Sequence, residues 1–184
     1  TAAQMKKAIE PFEKIRKAVG DRMEIMVEFH SLWNLPAAKE IARALEPYKP
    51  RWYEDPIRMN SPQALAEYAR STDVWVCASE TLGSRWPYKD MLDRDAMHVV
   101  MVDLCWSGGL TEGRKIASMA ETYHRPFAPH DCIGPVGFAA ASSPGPGKLR
   151  NRGFTTSLTF ASVDCADRIV DTRSWKGVLN SSEH

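Results

Sequence analysis

The chain has 184 residues, of which 43% are apolar, 24 are basic and 23 are acidic, and its formal net charge is +1. This length and composition are typical of one globular domain, or of one domain with part of another. The balanced charge, without a basic stripe, argues against nucleic acid or an anionic membrane as the main partner. No apolar run approaches the ~18 residues that a membrane-spanning helix needs.

The beginning of the chain has the pattern of a helix, not of a secretory signal. "TAAQMKKAIEPFEKIRKAV" is amphipathic, and we therefore expect the sequence to begin inside a longer protein. The four cysteines are widely spaced and form no C-x-x-C pair; they are Cys77, Cys105, Cys132 and Cys165. Reduced thiols in a cytoplasmic protein are the expectation.

Helix and strand patterns then alternate. The first helix is predicted to end at Val19, because Gly20 is a typical residue just beyond a helix. Proline near the first turn marks the helices that follow Asn34 and Ser61. Further helices are predicted at 36–48, 62–71, 87–94 and 110–124, and strands at 23–29, 51–56, 74–80, 97–104 and 125–131. This alternation predicts βαβ units and a parallel sheet.

Five consecutive predicted strands end in a polar, chemically competent residue. These residues are Glu28, Glu54, Glu80, Asp103 and His130, at successive intervals of 26, 26, 23 and 27 residues. One βα unit occupies roughly that length. In barrels of alternating strands and helices, the active site lies at the carboxyl ends of the strands. A closed barrel is therefore the expected architecture, since it can bring all five groups to one pocket.

The residue types at these positions suggest metal-assisted acid–base chemistry. Three glutamates suit a hard divalent cation such as Mg²⁺, which prefers oxygen ligands, although a single glutamate is more often a solvated strand end or half of a salt bridge. A carboxylate from Asp103 on Nδ1 of His130 would leave Nε2 as a general base. His30 lies two residues after Glu28 and therefore on the same face of an extended strand, where it could carry a second proton.

The series "VEFH…YEDP…ASE…VMVDL…APHD" resembles the barrel domain of the enolase superfamily, mandelate racemase subgroup. Within it, the sequence is most similar to acid-sugar dehydratases of the galactonate dehydratase kind. The resemblance runs to about Ala141 and implies a partial (β/α)7β barrel of the TIM type. It implies that Glu28, Glu54 and Glu80 bind Mg²⁺, although the family more often has Asp at the first position.

The resemblance also implies a reaction. His130, supported by Asp103, would remove the proton α to a carboxylate and form an enediolate that Mg²⁺ stabilises. His30 would protonate the departing 3-hydroxyl, which gives a 2-keto-3-deoxy acid. Arg85 is a candidate substrate contact or half of a surface salt bridge. Trp33 and Trp106 could line the pocket, or could pack against the protein instead.

Parts of the family pattern are not found in this sequence. The capping domain and the first two barrel strands have no counterpart, so we expect a partial barrel over 1–141 and an unmatched tail over 142–184. Within the tail, 154–163 has strand propensity. The expected small-molecule partner is a sugar acid, either an aldonate or an aldarate. A homo-oligomer, a racemase or epimerase with the same site, and a non-catalytic truncated fragment remain alternatives.

Overall fold

The computed structural model describes residues 2–131, 134–142, 163–164 and 168–169. The chain divides into two compact units, Thr1–Leu149 and Arg150–His184. The candidate site residues all belong to the first unit. None of the helices within the described ranges is long and apolar enough to cross a membrane.

The first unit is built on a parallel sheet of five strands in sequence order. The strands are β1 (Met26–Glu28), β2 (Trp52–Glu54), β3 (Trp75–Ala78), β4 (Val99–Asp103) and β5 (Phe127–His130). Every neighbouring pair is parallel. The predicted α/β class with a parallel sheet is thus confirmed, and all five carboxyl ends lie at one edge.

Helices connect the strands. They are α1 (Ala2–Val19), α2 (Leu35–Leu45), α3 (Pro62–Ala69), α4 (Arg85–Asp93), α5 (Leu104–Ser107), α6 (Gly109–Thr122) and α7 (Pro135–Ser142). The predicted end of α1 is confirmed, since Gly20 has a φ of +55°, which glycine adopts without strain. Asn34 caps α2 by accepting a hydrogen bond from the Ala37 amide, and Ser61 caps α3 through the Ala64 amide.

Two of these helices, α5 and α7, were not predicted from the sequence. α5 has only four residues, too few to show a helical period. Its amino end depends on the Asp103 carboxylate, whose Oδ1 accepts hydrogen bonds from the amides of Cys105 and Trp106. α7 begins at Pro135, as helices often do, but its stretch of alanines has no polar face to reveal the period.

The core of the unit lies between the sheet and the helices. β4 is buried along its whole length, as expected of a strand inside a parallel sheet. Tyr53 on β2 is fully buried, and its hydroxyl donates to the carbonyl of Ala42 on α2 at 2.8 Å. The Tyr53 ring also contacts Phe29 and Tyr68, with centroid distances of 5.2 and 6.5 Å. These contacts hold β1, β2 and α3 together below the carboxyl edge.

The second unit contains a short antiparallel pair, β6 (Val163–Asp164) with β7 (Arg168–Ile169). Val163 is the end of the predicted strand 154–163, and residues 154–162 lie outside the described residues. Cys132 and Cys165 also lie outside them, while Cys77 and Cys105 are free thiols. The domain boundary at 141 stays a prediction.

Candidate active site at the carboxyl edge of the sheet

The strand register sets the sequence-predicted residues side by side. Glu28 is the register partner of Glu54 across β1 and β2, and Asp103 is the partner of His130 across β4 and β5. Glu80 follows the last residue of β3 by two positions. The five positions predicted from spacing therefore share one edge of the sheet.

His130 lies between two carboxylates. Its Nδ1 is 2.8 Å from Oδ2 of Asp103, and its Nε2 is 2.5 Å from Oε2 of Glu80. Although burial works in the opposite direction, these carboxylates raise the pKa of His130 to about 9. Reciprocally, the hydrogen bond from His130 lowers the pKa of Glu80 despite its partial burial. An imidazole held in this way is oriented for proton transfer.

Asp103, at the end of β4, makes two kinds of hydrogen bond that fix its side chain. The side chain is 1% exposed, and one oxygen caps α5 while the other faces His130. Because two backbone amides hold Oδ1, the direction of Oδ2 toward the imidazole is set by the start of the helix. The short helix that sequence reasoning missed therefore orients the candidate base.

Glu28 and Glu54 form a second pair of acidic groups. Trp52 Nε1 donates to Oε2 of Glu54 at 3.1 Å, and Glu54 is only 7% exposed. Burial, together with a hydrogen bond to the Glu28 side chain, raises the pKa of Glu54 well above its usual range. Two adjacent carboxylates in such a place need a proton or a cation between them. Their oxygen donors suit Mg²⁺.

The three glutamates are not gathered into one ligand cluster. Glu28 and Glu54 are brought together, whereas Glu80 is bonded to His130. Within the described ranges, no group of three or more His, Cys, Asp or Glu side chains is arranged to hold a metal ion. The donor chemistry fits a hard cation, and a metal role for all three glutamates stays a prediction.

His30 lies in the turn after β1, which ends at Glu28, so the prediction that the two residues share one face of an extended strand is wrong. His30 is exposed, has a φ of +55°, and its backbone amide donates to Oε1 of Glu28. The ring is close enough to Glu80 to contribute, after the larger effect of His130, to the lowered pKa of that carboxyl group. A second imidazole thus stands near the acidic groups of the site.

The three predicted substrate contacts have different surroundings. The Arg85 guanidinium donates to both carboxylate oxygens of Glu112, at 2.8 and 2.9 Å, which is the salt-bridge alternative raised by the sequence. Trp33 and Trp106 are 44% and 63% exposed. Substrate roles for the three residues stay predictions.

Sequence reasoning missed Asp55, which follows Glu54. The residue is 1% exposed, and Oδ2 accepts a hydrogen bond from the Ser79 hydroxyl at 2.8 Å. Oδ1 is buried and has no hydrogen-bond partner among the residues that the structure describes. Burial raises the pKa of Asp55 to about 7. The only signal in the sequence is a second acidic residue beside Glu54 in "YEDP", which by itself does not indicate burial.

Comparison with known proteins places this geometry in a family. The enolase C-terminal domain-like family matches residues 1–152. A D-galactonate dehydratase of Ralstonia nicotianae is 37% identical over 133 residues, which are 72% of this chain and 35% of that protein. A D-galactonate dehydratase of Xanthomonas euvesicatoria pv. vesicatoria has the same identity and coverage. The chain thus spans about a third of the length of these relatives.

Solved structures agree with the sequence relatives. An enolase of the mandelate racemase subgroup from Agrobacterium tumefaciens is 57% identical, with a TM-score of 0.75 over 77% of this chain and 39% of that one. An enolase from Sargasso Sea environmental sequencing is 48% identical, with a TM-score of 0.74 over 77% of this chain and 38% of that one. The predicted resemblance and the partial TIM-type barrel are confirmed. The chain belongs to the enolase superfamily and contains part of its C-terminal barrel domain.

Proposed function

We propose that this chain carries the acid–base and cation-binding side chains of a Mg²⁺-dependent sugar-acid dehydratase. The observation that carries the proposal is the placement of His130 between Asp103 and Glu80, at 2.8 and 2.5 Å. The dehydratase relatives support a lyase of sugar acids, and an aldonate such as galactonate is the first substrate to test. The products would be a 2-keto-3-deoxy acid and water.

His130 is the proposed base for the proton α to the substrate carboxylate. Asp103 is hydrogen-bonded to Nδ1, so Nε2 is the nitrogen that can accept a proton from the substrate. In this structure Nε2 contacts the Glu80 carboxylate. If the Glu80 side chain bound a cation instead, Nε2 would be free to accept the substrate proton. His30 is the proposed acid for the 3-hydroxyl, because hydroxide is a poor leaving group and needs a proton.

Glu28, Glu54 and Glu80 are the proposed ligands of the cation. Glu28 and Glu54 already share a hydrogen bond, a contact that a divalent cation can replace while neutralising both charges. When bound, Mg²⁺ would supply positive charge to the substrate carboxylate as the α-proton leaves.

A racemase or epimerase is the second candidate function. It needs the same proton abstraction but no loss of hydroxyl, so the second imidazole, that of His30 near Glu80, favours the dehydratase. A non-catalytic fragment is the third alternative. The dehydratase and the racemase or epimerase predict different products from one substrate, and the non-catalytic fragment predicts none.

The test follows D-galactonate by NMR in deuterated buffer with Mg²⁺ and the 184-residue chain. Dehydration predicts exchange at the α-carbon and accumulation of the 2-keto-3-deoxy acid. His130→Asn should abolish both, whereas His30→Ala should abolish the product and leave the exchange. His124→Ala is the matched control, because His124 is exposed and lies before the amino end of β5.

Each other outcome identifies a different function. Inversion at the α-carbon without the keto acid would identify a racemase or epimerase. A folded chain that gives neither exchange nor product would be a non-catalytic fragment. Equal loss of exchange and dehydration in His30→Ala would remove His30 from the role of leaving-group acid.

A further inference from the structure

The three turns that follow β1, β2 and β3 meet at Asp55. Its backbone carbonyl accepts a hydrogen bond from the Ser31 amide at 2.8 Å, and its own amide donates to the carbonyl of Cys77 at 3.0 Å. Its side chain adds the bond from Ser79 at 2.8 Å. One residue is therefore bonded to the turn beside His30 and to the turn that carries Glu80, while it is itself adjacent to Glu54.

The Asp55–Ser79 contact is well supported by its surroundings. Ser79 is fully buried, and its hydroxyl is also 2.9 Å from the hydroxyl of Thr81. The carbonyl of Ser79 accepts a hydrogen bond from Tyr88 on α4 at 2.8 Å. Glu80 thus lies between Ser79 and Thr81, whose hydroxyls contact each other. Ser79, at the start of this turn, is also hydrogen-bonded to Asp55 and to Tyr88 on α4.

Asp55 differs from a simple loop anchor in two respects. Its φ of +41° is uncommon for a residue other than glycine, and the surrounding contacts must hold it there. Its carboxylate is buried at a cost, because Oδ1 has no hydrogen-bond partner within the described part of the chain. An apolar residue at position 55 would avoid that cost, but it could not accept the hydrogen bond from Ser79.

We propose that Asp55 is a positioning residue that sets the mutual geometry of Glu28, Glu54 and Glu80 through its bonds to the neighbouring turns. The inference rests on the proposed function, since it concerns the affinity of these glutamates for a divalent cation. Asp55 acts on Glu80 through Ser79 and on the β1 turn through Ser31. Residues that orient metal ligands typically change metal affinity by about 10–100-fold when they are removed.

The test measures Mn²⁺ binding to the 184-residue chain by the EPR signal of free Mn²⁺. Mn²⁺ is a suitable probe because it accepts the same oxygen ligands as Mg²⁺. Ser79→Ala and Asp55→Ala should each weaken binding by about 10–100-fold. The double variant should bind Mn²⁺ only slightly more weakly than the weaker-binding single variant, because the Asp55–Ser79 hydrogen bond is already absent from either one. Ser79→Ala also removes the contact with Thr81, and that effect is common to Ser79→Ala and the double variant. Backbone strain of alanine at position 55 cancels in this cycle.

Tyr53→Phe is the matched control. It also removes one buried side-chain hydrogen bond, from Tyr53 to Ala42, but on the helix side of the sheet. It should lower stability and leave Mn²⁺ affinity unchanged, whereas a merely structural role for Ser79 would make Ser79→Ala behave in the same way. Near-UV circular dichroism verifies that each variant is folded.

The outcomes separate this inference from the proposed function. If the unmodified chain binds no Mn²⁺, the proposed cation site fails, and the inference fails with it. If the unmodified chain binds Mn²⁺ and Ser79→Ala binds equally well, only the inference is overturned. Losses that multiply in the double variant would also overturn it, because the two residues would then act independently. Should Asp55→Ala not fold, Ser79→Ala alone decides.

Discussion

Asp103→Asn tests the carboxylate that joins the end of β4 to His130. Asp103 uses Oδ1 to accept from the Cys105 amide at 2.7 Å and Oδ2 to contact Nδ1 of His130 at 2.8 Å. Asparagine has nearly the same shape but only one acceptor oxygen. If that oxygen stays with α5, the amide nitrogen faces His130 and can only donate a hydrogen bond.

The expected loss of stability follows from the bond that is removed. A hydrogen bond to a charged group contributes about 1.5–3 kcal/mol, and each kcal/mol shifts the melting temperature of a domain of this size by about 2–4 °C. Asp103→Asn should therefore lower the melting temperature by about 3–12 °C. Asp103→Ala also removes the cap of α5, which costs about 1 kcal/mol more.

Thermal melts and an NMR titration of His130 measure the two consequences. The pKa of His130 should fall from its value of about 9, because one of the two carboxylates that raise it is gone. Asp90→Asn is the control: Asp90 forms an exposed ion pair with Arg94, and such a pair contributes less than about 0.5 kcal/mol. The reasoning would be refuted if Asp103→Asn had the same melting temperature as the unmodified chain, or if its His130 pKa were unchanged.

Two further predictions concern contacts below the carboxyl edge. Tyr88→Phe should destabilise the chain by about 1–3 kcal/mol, measured by denaturant unfolding, because the buried Tyr88 hydroxyl lies within 2.9 Å of the carbonyls of Ser79 and Met101; an unchanged midpoint would contradict this. His98 Nδ1 accepts a hydrogen bond from the Val76 amide, and burial lowers the pKa of His98 below 6.5. The stability contributed by neutral His98 is therefore present above the pKa of the unfolded state and is lost as pH falls through the pKa of the folded state. His98→Asn should thus reduce the loss of stability at the acid end of a profile measured between about pH 5 and 8. Parallel profiles for the variant and the unmodified chain would contradict this prediction.

Much of the fold is determined by local sequence signals. Helix ends depend on residues such as Gly20 and Ser61, whose backbone preference or capping oxygen acts within a few positions. The alternation of strand and helix patterns implies a parallel sheet, because a parallel pair needs a crossover of the length observed. The regular spacing of polar residues then places Glu28, Glu54 and the later strand ends at one edge.

The tertiary structure alone decides which side chains meet at that edge. Glu80 bonds to His130 and Arg85 to Glu112, pairs separated by 50 and 27 residues along the chain. Asp55 is likewise hydrogen-bonded to Ser79, which follows the next strand. Spacing places a residue at a strand end but does not specify its rotamer or partner. Those depend on register, packing and electrostatics between elements distant in sequence, and they determine which carboxylate holds the imidazole.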